Sequence, residues 1–268
     1  MFGFPHLDLT PARAILPGLR KELIPRKATE VGWLIDADHA GFIWDAPARL
    51  RAEIAGGPMH AKSVAACPAV IDFEARHFVI PCPISARLKI VIDPGTGEAA
   101  VANAAGDQSP IRSKALGELV KRVPAKEWRH PSRPIIQIVT PYVFLSDDPV
   151  FMAQTPPFNH FMPQPWPGLM IGGRFPIDVW LRHLMWAFEW HDVSQELVLT
   201  RGDPWFYVSF ETDGVSRQVR LVEAERTPEL KEYMAGSRSV TNYVNRTFSL
   251  FATARARRPR TLLVKKKR

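Results

Sequence analysis

Cysteine is nearly absent from this sequence, which has only Cys67 and Cys82 among its 268 residues. Two cysteines are too few for a disulfide framework, and no group of cysteines and histidines has the spacing of a zinc site. Each cysteine precedes a proline, and we expect two reduced, buried thiols; a single bridge between them is the alternative. A small secreted domain held together by disulfides is therefore excluded.

Long apolar runs are also missing. No stretch of about 18 apolar residues occurs, so we expect no membrane-spanning helix. The first residues, MFGFPHLDLT, have no basic region followed by an apolar core, which is the pattern of a signal peptide. We therefore expect a cytoplasmic protein that is not embedded in a membrane.

The motifs of several enzyme classes are absent. The sequence has no G-x-S-x-G, P-loop or G-x-G-x-x-G pattern, so serine hydrolase, NTPase and dinucleotide-binding readings have no support. His183, Glu189 and His191 are metal-ligand types, but positions eight apart on a strand are separated by roughly 26 Å. We expect no metal and no cofactor, and the missing motifs favour a non-catalytic protein over an enzyme.

Glycine is less common than proline, with 16 glycines against 25 prolines. Proline is tolerated at sheet edges and in connections but not inside helices. This composition favours an α+β protein with mainly antiparallel strands over a helical bundle.

The clearest strand pattern lies at residues 184–210. Leu184, Trp186, Phe188 and Trp190 alternate with more polar residues, which is typical of a half-buried strand. A second short strand is predicted at 196–200, and a third at 205–210 follows the turn at Gly202. We predict that these three strands are neighbours in one layer.

Three segments are predicted. Residues 1–59 form an N-terminal hairpin, at 32–35 and 41–44, with short helices packed on the core, one after Thr10 and one after Asp45. Residues 60–252 form the β-rich core domain, with a first strand at 70–73 and with C-terminal helices, one of which begins at Thr227 and ends at Gly236. Residues 253–268 form a disordered basic tail.

The long connection at 155–168 holds five prolines together with Phe158, Phe161 and Trp166. One interpretation is a loop packed over the sheet. The other is a pocket rim or interaction surface, because aromatic side chains on a stiff loop bind at low entropic cost.

The tail carries the whole net charge of +8. Its eight basic residues have no acidic neighbour, and the other 27 basic residues equal the 27 acidic ones. Such a segment binds polyanions, so nucleic acid or a virion protein is the expected partner; a merely solubilising tail and membrane headgroups are the alternatives. The predicted nucleic-acid-binding residues are Arg255, Arg257, Arg258, Arg260, Lys265, Lys266, Lys267 and Arg268.

Two elements of the central stretch resemble the β-clip superfamily of dUTPases and dCTP deaminases. Ile177-Asp178 followed by Arg182 resembles that family's I-D-x-x-[YF]-R element, and Gly202-Asp203 resembles its G-D-R-I-A-Q element. The resemblance implies a β-clip-like (dUTPase-like) core, a homotrimer, and Asp178 as the residue that positions the attacking water. However, the family's phosphate-binding R-S-S/G motif and Gly-rich C-terminal loop are missing, and Glu189 is one residue out of register with the deaminases' catalytic glutamate.

Blocks at 67–83, 140–158 and 201–210 resemble uncharacterised proteins of tailed phages and some bacteria. That resemblance implies a phage or prophage origin and no known activity. We therefore expect a non-catalytic binding or assembly protein of phage type, which contacts nucleic acid or a virion partner through its tail. The alternative is a nucleotide-processing enzyme of the dUTPase-like type with altered phosphate-binding motifs.

Overall fold

The computed structural model describes residues 28–38, 41–51, 60, 62–92, 94–95, 98–213, 218–240 and 247–267. The chain is mostly β, with 37% strand, four α-helices in the described residues and several antiparallel sheets. The expected α+β class with mainly antiparallel strands is confirmed at this level, and the β-clip-like core stays a prediction. In the described part of the chain, no helix combines the length and the apolar character that crossing a bilayer requires.

The strands and helices have the following bounds: β1 Thr29–Ile35, β2 Ala48–Arg49, β3 His77–Pro81, β4 Ala86–Ile92, β5 Ala99–Asn103, β6 Val120–Arg122, β7 Ile135–Val139, β8 Tyr142–Leu145, β9 Val150–Thr155, β10 Gly168–Ile171, β11 Gly173–Pro176, β12 Met185–Trp190, β13 Leu197–Leu199, β14 Pro204–Thr212 and β15 Val219–Glu223, with α1 Pro68–Ala75, α2 Ser113–Leu119, α3 Pro228–Val240 and α4 Thr247–Arg257.

The strands form four sheets. Sheet 1 has the order β15-β1-β8, sheet 2 β10-β12-β7-β6, sheet 3 β11-β9-β14-β3-β2, and sheet 4 β13-β4-β5. Each adjacent pair is antiparallel except β1 and β15, which run parallel. Most neighbours within a sheet are distant in sequence, so the sheets are held together by long-range pairing.

One hydrophobic core joins all four sheets. Val31 comes from sheet 1, Trp186 from sheet 2, Phe206 from sheet 3 and Leu88 from sheet 4, and all four are fully buried. The rings of Trp186 and Phe188 stack with their centroids 5.3 Å apart, and Trp186 also contacts Trp205. Burial of large aromatic side chains of this kind supplies much of the hydrophobic stabilisation of a β-rich domain.

A second, smaller core covers the other face of sheet 1. Leu34 and Val143 pack there against Leu230 and Met234 of α3 and against Leu262 near the C-terminus. Helix α3 begins where the sequence predicts, because the Thr227 hydroxyl accepts a hydrogen bond from the Leu230 N–H at 3.2 Å. The expected helix end at Gly236 is wrong, since the helix continues to Val240.

The prediction that the central stretch forms one layer is wrong. Its three strands exist as β12, β13 and β14, but they lie in sheets 2, 4 and 3 respectively. The predicted parity of β12 is confirmed, since Trp186, Phe188 and Trp190 are fully buried. Alternation therefore identified a buried strand face correctly, but it carries no information about which strand pairs with which.

The N-terminal part also differs from expectation. Residues 41–44 form no strand; β1 pairs with β8 and β15 instead of forming the expected hairpin. The short helix expected in residues 1–27 lies outside the described residues, and the one expected after Asp45 is wrong at its start, because residues 48–49 form strand β2. Residues 68–75, which include an apolar run read as a strand at 70–73, form helix α1, because Pro68 suits the first helical turn and Asp72 pairs with Arg76 one turn later.

The expected disordered tail at 253–268 is not what the structure shows. Residues 253–257 complete α4, and residues 258–267 lie against sheet 1. Leu262 is 2% exposed, and the Asp147 carboxylate accepts a hydrogen bond from its N–H at 2.6 Å. A side chain at Gly32 would collide with Leu263, because its Cβ would stand 2.5 Å from Leu263 Cδ1. Burial and these specific contacts offset the entropy cost of ordering the segment.

Candidate binding groove

The candidate site is an open groove with a volume of about 880 Å³. One wall is α1 with Phe73, and the other is the aromatic segment, which we define as residues 156–167 between β9 and β10. Tyr207 of β14 and Val79 of β3 contribute the floor, and Arg49 and Arg51 lie at one end. The groove therefore joins elements that are far apart in sequence.

Aromatic side chains are exposed along this groove. Phe161 is 83% exposed, and Phe158 is 49% exposed while its ring packs against Phe73, His77 and Tyr207 with centroids 5.1–5.7 Å apart. Helix α1 has no buried residue. A helix that is apolar yet exposed, beside exposed rings, is the kind of surface that marks an interaction site.

The aromatic segment is ordered by its own backbone and by one anchor. The N–H groups of Phe158 and His160 donate to the carbonyls of Pro156 and Pro157 at 2.8 and 3.0 Å. The anchor is Trp166, whose indole N–H donates to the Val198 carbonyl and whose ring packs edge-on against Trp186 and Phe188. Of the three predicted rim residues, Phe158 and Phe161 lie at the surface, and Trp166 packs on the core.

Positive charge lines one end of the groove. Within the described residues, Arg49 and Arg51 have no ion pair. The Arg49 guanidinium lies 5.8 Å from the centre of the Phe78 ring and donates to the carbonyl of Val219 at 3.4 Å. An arginine held this way keeps its charge available to an anion.

A line of basic residues, which we name the basic path, leads from the groove to the C-terminal segment. Val219, which Arg49 contacts, is followed by Arg220, and Arg220 pairs with Glu30. Lys265 pairs with the same carboxylate at 2.7 Å. One carboxylate thus compensates two cations, so the path keeps a net positive charge. It consists of Arg49, Arg51, Arg220, Lys265, Lys266 and Lys267.

The predicted tail cations divide into two groups. Arg255, Arg258, Lys265 and Lys266 form ion pairs with Asp178, Asp147, Glu30 and Glu223 respectively. Arg257, Arg260 and Lys267 have no ion pair with any residue that the structure describes, and Arg268 lies outside the described residues. The expectation of eight uncompensated cations on a free tail is therefore wrong for four of them, because acids distant in sequence pair with them.

Asp178 does not line the groove. Its side chain is 6% exposed and lies 3.5 Å from Arg255, while its backbone carbonyl accepts a hydrogen bond from Arg258 at 2.6 Å. Burial raises the pKa of this carboxyl, and the arginine charges lower it by less. Asp178 thus helps to hold the C-terminal segment in place through Arg255 and Arg258. Its role as a water-positioning base stays a prediction.

The three residues considered as metal ligands do not come together at one point. His183 contacts Asp36 at 2.7 Å, whereas His191 contacts Glu189 at 3.0 Å in a separate cluster with Arg129 and Arg133. Among the described residues no group of three or more histidine, cysteine, aspartate or glutamate side chains could hold a metal ion.

Sequence reasoning missed the arginines and the opposite wall of the groove. Arg49 belongs to β2, a two-residue strand with no recognisable pattern, and Arg51 follows it closely. The apolar run at 70–73 predicts a strand for Phe73, which lies on α1. The signal that did exist was the proline-rich aromatic segment itself.

Comparisons with known proteins supply no further guide. No protein-family model, no curated protein and no solved structure matches this chain. The groove must therefore be interpreted from its own chemistry.

Proposed function

We propose that this chain is a non-catalytic binding protein that holds a single strand of nucleic acid in the aromatic groove. The observation that carries the proposal is the position of exposed Phe161, next to Phe158 on the preordered aromatic segment, in one groove with Arg49 and Arg51, which have no ion pair among the described residues. Exposed rings stack on unpaired bases of any sequence, and cations beside them bind the phosphates.

A single strand suits this surface better than a duplex. The bases of a duplex are already stacked on one another, so a protein ring gains a stacking partner only from an unpaired base. Phe161 is exposed enough to meet such a base, and the partly exposed ring of Phe73 lies along the same groove, above the buried Tyr207. The rings offer a row of contacts that does not depend on base identity.

The basic path offers the nucleic-acid strand further phosphate contacts between the groove and the C-terminal segment. It extends from Arg51 and Arg49 through Arg220 to the lysines at 265–267, and Glu30 and Glu223 are the carboxylates that pair with it. In this proposal, part of the predicted tail binds nucleic acid, because it is docked on the protein as a continuation of the groove. A phage or prophage origin, supported by the resemblance of three sequence blocks, belongs to the same proposal.

The experiment is an equilibrium titration of a fluorescently labelled single strand of about 12 nucleotides. This length lies within the range of site sizes of single-strand-binding domains. Replacing Phe161 by Ala should weaken binding by about 1–3 kcal/mol, the value of one base stacked on an aromatic ring. Because Phe161 is 83% exposed, its loss should leave the stability to urea unchanged. Ile92→Ala is the matched control, since Ile92 is an exposed apolar residue on β4, away from the groove.

Charge is tested separately with the double variant Arg49→Gln/Arg51→Gln. For a single strand, the slope of log affinity against log salt should become shallower by about 0.7 for each phosphate contact removed. Lys89→Gln, on the exposed face of β4, removes one charge elsewhere and should leave the slope unchanged. Failure of the wild-type protein to bind any strand at low salt would refute the proposal and would make the groove a candidate site for a protein partner.

A further inference from the structure

A second, smaller cavity adjoins the groove. It has a volume of about 210 Å³ and lies between the aromatic segment and the residues that join β13 to β14. His160 and Pro204 line both concavities, so the two meet at these residues. Anything held in the groove is therefore within reach of the cavity mouth.

The walls of this cavity are flat and apolar. Trp166 and Trp205 contribute indole rings, and Met162 and Leu199 complete the apolar lining. Trp205 is 1% exposed, and in the described part of the chain its indole N–H has no hydrogen-bond partner. The two indoles therefore give the cavity flat aromatic walls.

Polar groups are gathered at the same cavity. Gln164, Thr200 and Asp203 line it, and their side chains make no hydrogen bond to any residue that the structure describes. The buried thiol of Cys82 is neutral, because burial raises its pKa to about 12, and it already donates to the Ile84 carbonyl. The cavity thus offers apolar walls, a few polar contacts and no reactive thiolate, which is the composition of a small-molecule recognition site.

The size of the cavity limits the ligand. A cavity of about 150 Å³ accommodates benzene, so about 210 Å³ leaves room for a six-membered ring with its exocyclic groups. Unstacking one base of a strand that is already single costs little. A planar heterocycle with a polar edge therefore suits the cavity in both shape and chemistry.

We propose that this cavity receives one unstacked base of the strand held in the groove and favours a base with an exocyclic amino group. The Asp203 carboxylate is an acceptor only, so it can accept a hydrogen bond from the amino group of cytosine but not from the carbonyl at the same position of thymine. This inference rests on the proposed function, because the strand brings the base to the cavity.

The experiment compares the affinity of the full chain for two labelled probes of equal length, oligo(dC) and oligo(dT), at one salt concentration and about pH 8. The wild-type protein should bind oligo(dC) about fivefold more tightly, the equivalent of one net hydrogen bond. Asp203→Asn should reduce that ratio to near one, because an amide can pair with either base. Thr200→Phe, which fills the cavity from an exposed position, should also abolish the ratio, whereas Thr200→Ser should retain it.

The experiment distinguishes failure of the groove proposal from failure of the cavity proposal. Phe161→Ala should weaken the binding of both probes equally and leave their ratio intact. Equal binding of the two probes by the wild-type protein, or a ratio unaffected by both Asp203→Asn and Thr200→Phe, would overturn the cavity assignment and leave the groove standing. Binding of neither probe would overturn both proposals. Urea unfolding of each variant separates loss of binding from loss of fold.

Discussion

The buried carboxylate of Glu189 should make the stability of this protein depend on pH in the acidic range. Glu189 lies on β12 with a side chain that is 2% exposed. Arg129 contacts it at 2.6 Å, His191 at 3.0 Å and Arg133 at 3.7 Å. Burial alone would raise the pKa of Glu189, but the hydrogen bonds from Arg129 and His191 outweigh it, so the net shift is downward from 4.5.

The perturbation is Glu189→Gln, which keeps the shape of the side chain and removes its charge. Hydrogen bonds to a charged group contribute about 1.5–3 kcal/mol each when buried. Arg129 is 57% exposed and Arg133 is 45% exposed, so water replaces part of what they lose and the sum is smaller. We expect a loss of about 2 kcal/mol in the free energy of unfolding at neutral pH.

The pH dependence distinguishes charge from packing. A carboxyl whose pKa is lowered by folding contributes stability above its unfolded pKa, and that contribution disappears as pH falls through the folded pKa. The difference between wild type and Glu189→Gln, measured by urea unfolding, should be full at pH 7 and clearly smaller near pH 3. Glu211→Gln is the control, because Glu211 pairs with Arg174 at the surface and is 54% exposed, so its loss should cost under about 1 kcal/mol. A penalty for Glu189→Gln that is the same at both pH values would refute the reasoning.

Two further predictions concern the C-terminal segment. Leu262→Ala should lower the free energy of unfolding by about 2–4 kcal/mol, because it removes a side chain from the second core; an unchanged urea midpoint would mean that the segment does not dock. Asp178→Asn should leave the free energy of unfolding at pH 7 unchanged or raise it. Folding raises the pKa of Asp178, so ionising this carboxyl at higher pH destabilises the folded state, and the uncharged amide avoids that cost. A loss of more than about 1 kcal/mol in that variant would contradict this sign, and nucleotide turnover that the variant abolishes would favour the enzymatic alternative.

The sequence predicted individual strands better than their arrangement. The alternation of Trp186, Phe188 and Trp190 located β12 and its buried face, because a side-chain period of two is a local property. The pairing of β12 with β7 and β10 depends on contacts between residues far apart in sequence, which no local pattern encodes. Helix α1 was misread for a related reason: its Val-Ile pair has strand propensity, and only Pro68 signalled a helix.

The C-terminal segment shows the same limit. Eight cations without a neighbouring acid have the composition of a disordered tail. Four of them pair with Asp178, Asp147, Glu30 and Glu223, which lie in other parts of the chain. The candidate site could be predicted in part from the sequence, because a stiff proline-rich loop with aromatic residues is a local feature. Its arginines could not, since Arg49 and Arg51 reach the groove only through the pairing of β2 with β3.

The most direct measurement of the central claim is photo-crosslinking of a single strand that carries a photoreactive base at each position in turn, followed by mass spectrometry of the linked peptides. We predict crosslinks within the aromatic segment, at Phe158 and Phe161, and at Phe73 on the opposite wall of the groove. Crosslinks confined to the region of α3 and α4, or none at low salt, would contradict the claim that the groove binds the strand.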